Sequence, residues 1–167
     1  MIQLRIDDPA FVQADALAWP VTADMRPTTP LLRRVEVAGG AELAAQLTPR
    51  EPLPVGSAVV TGAGELGVEL LVSAVVASDT EPASRTSVKR ALVSALQRAS
   101  DWRIGSLAIV PFGLGAGNLD IEECAEIMVD VISEHMTRAR HPVAVTIVLE
   151  SPMEEEVFAA ALGRVAS

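Results

Sequence analysis

Apolar and polar residues alternate through IQLRI, Ile2 to Ile6, the period of a half-buried strand. The run ADALAWPV, around Asp15 to Val21, predicts a second strand that Pro20 ends. In RPTTPLLRRVEVAGG, Thr28 or Thr29 can cap a helix with Pro30 at its first position. Gly39 and Gly40 stop that helix, and AELAAQL adds a further short helical turn. SAVVT (57–61) and VELLVSAVV (68–76) are two β runs. Val88, Leu92, Ala95, Leu96 and Ala99 share one face of a helix over Thr86 to Ser100. SLAIVPF is a continuous apolar run, as in a strand covered on both sides. From Asp120 to about Arg138 the helical period returns, with Ile121, Cys124, Ala125, Met128 and Ile132 as its apolar stripe. VAVTIVLE predicts a last interior strand, and Met153 to Leu162 a closing helix. Strands alternating with helices imply an α/β protein whose second half is mostly parallel.

Two glycine-rich stretches interrupt this pattern. Gly62-Ala63-Gly64-Glu65-Leu66-Gly67 matches G-x-G-x-x-G and follows a strand. A dinucleotide site needs a helix next, because the pyrophosphate rests on that helix's N-terminus. The next residues are strand-forming, so this stretch reads as a turn between two strands. The second stretch, Gly113-Leu114-Gly115-Ala116-Gly117-Asn118, leaves a buried strand and enters a helix. Such loops lie at the carboxyl ends of strands, where open α/β sheets bind ligands. Alternate glycines let backbone N–H groups approach a phosphate, or simply permit a tight strand-to-helix connection. Spacing leaves both readings open. No Gly-Lys-Ser/Thr follows, which excludes the triphosphate-binding loop.

Composition narrows the chemistry. A chain of 167 residues is read as one domain, 1–167, able to bury a sizeable core. The formal charge of −9 and an aromatic content of 3% argue against binding along a nucleic-acid backbone. A small anionic ligand stays open, since a few aimed N–H groups can bind a phosphate. No apolar run suits a membrane span, and MIQLRIDD lacks the pattern of a signal peptide, so a cytoplasmic location is expected. Cys124, the only cysteine, reads as a core filler. His135 and His141 read as surface residues, and no ligand spacing points to a metal or cofactor. Glu122, Glu126, Asp130 and Glu134 recur every fourth residue as an acidic stripe: a solvated face, or a docking face for a basic partner.

In serial order these segments resemble a macrodomain, the α/β module that binds ADP-ribose and related nucleotides, over nearly the whole chain. MIQLRIDDPAFVQADALAWPVT is similar to the family's opening strand, turn and Asp-Ala-Ile-Val-Asn-Ala-Ala-Asn strand. VAGGAEL, GSAVVTGAGELGVELLVSAVV, VPFGLGAGNLDIEECAEI and VTIVLESPMEEEVFAAAL resemble its later segments in turn. The resemblance implies a three-layer α/β/α sandwich around a central mixed sheet. It places Asp8, with Asp7 as the alternative, where an aspartate accepts from the adenine amino group. It assigns Gly113, Leu114, Gly115, Ala116, Gly117 and Asn118 to the loop around the diphosphate and distal ribose.

The departures bear on function. Both asparagines of Asn-Ala-Ala-Asn are gone, replaced in Trp19-Pro20-Val21-Thr22, where Thr22 can still offer one hydrogen bond. The first glycine-rich phosphate loop reads Thr28-Thr29-Pro30, and the histidine of Val-Ile-His-x-Val is Ser73. Proline has no N–H and threonine disfavours positive φ, so a close phosphate nest is not expected there. The reading is a noncatalytic macrodomain-like protein binding ADP-ribose or a related nucleotide through Asp8, Thr22 and the 113–118 loop. The alternatives are an interaction domain with a decayed pocket, self-associating or binding a basic protein, and a hydrolase of ADP-ribosyl or O-acetyl-ADP-ribose substrates.

Overall fold

The computed structural model describes residues 1–166. Six strands form one sheet: β1 (Ile2–Ile6), β2 (Ala14–Thr22), β3 (Ala58–Gly62), β4 (Val68–Ala77), β5 (Ser106–Ile109) and β6 (Ala144–Leu149). Their order is β1-β6-β5-β2-β4-β3. All neighbours are parallel except the β3–β4 hairpin, so the sheet is mixed. Four helices complete the fold: α1 (Arg33–Gln46), α2 (Arg85–Asp101), α3 (Ile121–Arg138) and α4 (Pro152–Ala166).

Strand periodicity divides the core in two. Leu17, Trp19 and Val21 of β2 join Leu71 and Val75 of β4 beneath Val35 and Leu43 of α1. The intervening Ala16 and Ala18 face the other way, with Leu92 of α2, Met128 of α3 and Phe158 of α4. This is the α/β/α sandwich: one helix on one face, three on the other. Small residues in β2 on the three-helix side leave room for the larger helix side chains.

Two expectations change. Pro20 does not end β2; it pairs in register with Ala74 and the strand runs to Thr22. The Ala18 carbonyl accepts from Val110 N–H, so Pro20, two residues on, faces the same neighbour. The β2–β5 ladder stops at Ala18 and Ile109, so the missing proline N–H breaks no bond. His135 is buried, not a surface residue, with Nε2 2.9 Å from the His141 carbonyl oxygen.

The glycine-rich stretch 62–67 does join β3 to β4. Its Glu65 N–H donates to the Gly39 carbonyl, 2.9 Å away, in α1. Gly64 has φ +58°, and a Cβ there would strike that same carbonyl. The glycines thus let a hairpin turn press against a helix. Gly40, at φ 81°, kinks α1 beside this contact.

Candidate functional site

The carboxyl ends of β1, β5 and β6 and the start of α1 enclose a cleft of about 340 Å³. This is where parallel strands deliver their following loops, so the location follows from the topology. Leu31, Leu32, Val110, Leu114 and Val148 supply apolar wall, and Asp7, Glu150 and Glu154 supply carboxylates. Among the described residues lining it there is no lysine, arginine, histidine, cysteine or serine.

Asp8 and Asp7 divide the work of their turn. Asp8 Oδ1 accepts from Ala10 N–H at 3.0 Å, and the Asp8 carbonyl accepts from Phe11 N–H at 2.9 Å. Its other oxygen, Oδ2, lies 2.6 Å from Arg34 Nη2, tying the turn to α1. Asp7 Oδ1 also accepts from Asp8 N–H at 2.8 Å, so both carboxylates stabilise the turn, and of the two only Asp7 also lines the cleft. Arg5 Nε is 3.5 Å from Asp7 Oδ2 on the exposed side.

Thr22 is engaged by its own turn. Its N–H donates to Arg26 O at 2.9 Å, and its Oγ1 accepts from Arg26 N–H at 3.3 Å. Trp19 is fully buried, and its indole Nε1 donates to Ser73 Oγ at 2.8 Å. These are two of the positions at which the chain departs from the macrodomain pattern, joined by one hydrogen bond beneath the sheet surface.

The 113–118 segment is a compact connection containing one 3-10 turn, Gly115–Gly117. The N–H groups of Gly117, Asn118 and Leu119 donate to the carbonyls of Leu114, Gly115 and Gly113. Asn118 takes the left-handed conformation at φ 61°, and its Nδ2 donates to Ala83 O at 3.2 Å. Asp120 caps α3 by accepting from Glu123 N–H at 2.8 Å. Ala116 N–H crosses to the Thr28 carbonyl at 3.0 Å, joining this loop to the 28–30 loop. Gly115, at φ +61°, packs so closely that a Cβ would strike the Thr28 carbonyl and meet Thr29 Cγ2 at 2.8 Å. Thr29 Oγ1 accepts from Leu32 N–H at 3.3 Å, capping the turn that leads into α1. The buried Thr28 hydroxyl has no hydrogen-bond partner among the described residues.

Of the residues singled out in the sequence, Leu114, the alternative Asp7, and Thr29 and Pro30 of the altered first loop line the cleft. Asp8, Thr22 and the rest of the 113–118 loop are not among its lining residues. The β6 wall and Glu154 of α4 carry no motif. Their only signal is position: Val148 to Glu150 close an interior parallel strand, and the following helix returns over its end.

A Macro domain family model matches residues 33–128, and the chain belongs to that family. An uncharacterized protein of Mycobacterium tuberculosis is 27% identical over 164 residues, covering 97% of this chain and 45% of the relative. The chain thus spans less than half the length of that relative. An uncharacterized protein of Aquifex aeolicus is 30% identical over 117 residues, covering 70% of this chain and 71% of the relative. Among solved structures, an Oceanobacillus iheyensis macrodomain mutant with ADPR superposes with a TM-score of 0.86 at 16% identity. The match covers 98% of this chain and 92% of that one. The Trypanosoma brucei macrodomain in complex with ADP-ribose gives 0.85 at 12% identity, covering 97% and 69%. At these identities the shared property is the fold.

Proposed function

We propose that this chain is a noncatalytic module that binds ADP-ribose or a related adenosine-containing ligand. The observation that carries the reading is the apolar cleft at the carboxyl ends of β1, β5 and β6, with Asp7 at its rim. Apolar walls with a few aimed polar groups suit a flat base, and Asp7 can accept from an amino group. Two neighbours of the same fold carry ADPR or ADP-ribose.

The noncatalytic part rests on side chains already engaged. Where hydrolytic macrodomains are expected to position water with asparagines, Trp19 is buried against Ser73 and Thr22 closes its own turn. Trp19 offers no acceptor, and Thr22 keeps only its hydroxyl proton in place of an asparagine amide.

ADP-ribose is expected to raise the melting temperature. At a ligand concentration about 100 times Kd, the gain is ~2.7 kcal/mol. Gly115→Glu is expected to abolish the shift, because its Cβ strikes the Thr28 carbonyl and displaces the Leu114 wall. No shift at millimolar ADP-ribose in a folded sample overturns the binding reading. Release of ADP-ribose from a modified protein, above a no-enzyme control, overturns the noncatalytic one.

A further inference from the structure

We propose that the cleft grips a nucleotide only as far as its second phosphate, so that the further ribose of ADP-ribose adds no affinity over ADP. This rests on reading the cleft as the nucleotide site. The sheet order β1-β6-β5-β2 gives the cleft a direction. Asp7, Glu150 and Glu154 stand at its β1–β6 end. Thr29, Leu31 and Leu114 stand at the other, where the loops after β2 and β5 face each other. At that second end four backbone N–H groups have no acceptor among the described residues: those of Thr29 and Leu31 on one loop, and of Leu114 and Gly115 on the other. Unpaired N–H groups take an anion as their acceptor, so the phosphates belong at this end, away from the three carboxylates.

Past these N–H groups the cleft stops. No residue from 10 to 28 or from 33 to 109 lines it, so it reaches neither the end of β2 nor β4. The two loops close on each other instead. Ala116 N–H donates to the Thr28 carbonyl at 3.0 Å, and Gly115 backs onto that carbonyl and onto Thr29 Cγ2. Asn118 Nδ2 donates to Ala83 O at 3.2 Å, tying the same wall to the loop after β4. A sugar carried past the second phosphate must break these contacts or turn out to solvent. Turned out, it makes no contact and supplies no binding energy. The volume agrees: about 340 Å³ lies at the small end of ligand clefts, roughly 300–1,000 Å³.

ADP and ADP-ribose are titrated separately into the full chain and followed by its amide resonances. Both ligands are expected to shift the amides of Thr29, Leu31, Leu114 and Gly115, with ADP-ribose no more than threefold tighter than ADP. The Ala116 amide should keep its protection from hydrogen exchange with either ligand bound, because its bond to Thr28 stays closed. ADP-ribose binding more than threefold tighter than ADP overturns the proposal and leaves the nucleotide site standing. Loss of Ala116 protection with ADP-ribose alone does the same. ADP binding that leaves the four loop amides unmoved places the phosphates elsewhere and overturns the proposal. If neither ligand binds, the proposed function fails with it.

Discussion

Trp19 and Ser73 face each other across β2 and β4, in register and fully buried. Each alone would be a costly choice at its position: an indole N–H without an acceptor, or a hydroxyl without a donor, at roughly 1–3 kcal/mol. Together they satisfy one another at 2.8 Å. Read singly in the sequence, the two residues are unrelated departures from the macrodomain pattern. Read in the sheet, they are one paired substitution. Ser73→Ala is therefore expected to destabilise by about 1–3 kcal/mol in urea unfolding. Trp19→Phe adds a packing loss, yet the double variant loses less than the sum, with a coupling above ~0.5 kcal/mol. Additivity within ~0.3 kcal/mol would show that the bond contributes nothing.

At the scale of elements, the strand-to-helix connection from β5 to α3 governs the site. The glycine spacing in 113–118 raises the question of cradle against hinge. The structure gives these glycines a definite mechanical role, because Gly115 must approach the 28–30 loop at positive φ. Gly115→Ala is expected to cost about 1–3 kcal/mol through backbone strain and the collision with Thr28. Gly163 is the useful contrast: it lies in exposed α4, where an added Cβ meets nothing within 4 Å. Gly163→Ala should stabilise by roughly 0.5–1 kcal/mol, the helix preference for alanine over glycine. Equal melting temperatures for the two variants would contradict this division of roles. The acidic stripe of α3 is exposed along Glu122, Glu126, Asp130 and Glu134, and Arg85 reaches Glu123 at 2.8 Å.

For the whole molecule, composition sets how stability responds to pH. Burial pushes the Cys124 thiol from its ordinary 9.0 up to about 11, and N–H groups of Gly113 and Phe112 only partly oppose it. Above pH 9 the unfolded chain releases this proton while the folded chain keeps it. Stability is thus fully present below pH 9 and falls as pH rises towards about 11, by ~1.4 kcal/mol per unit. The chain has no tyrosine and Lys89 is its one lysine, so few other side chains titrate in that window. Unfolding of wild type and Cys124→Ala at pH 8 and pH 10.5 checks this. The variant should lose most of the alkaline decline, and an unchanged slope would assign it to other groups.

Periodicity alone located the six strands and the principal helices, because each element hides one face and shows it every second or every third to fourth residue. It also dismissed Gly62–Gly67 as a cofactor motif, since strand-forming residues followed where a helix was needed. The same local logic misjudged Pro20, whose acceptability depends on where β5 stops, and His135, whose burial depends on the 141 carbonyl. The site was less legible still. That Asp7 and not Asp8 lines the cleft goes with the Arg34 side chain reaching Asp8 from α1, a contact no local pattern shows. The cleft's acidic far wall came from β6 and α4, more than 130 residues away along the chain from Asp7. The sequence by itself determined the elements, because local hydrophobic patterns encode them. Only tertiary structure decided which loop donors remained for a ligand, because a hydrogen bond's partner is set by what folds next to it.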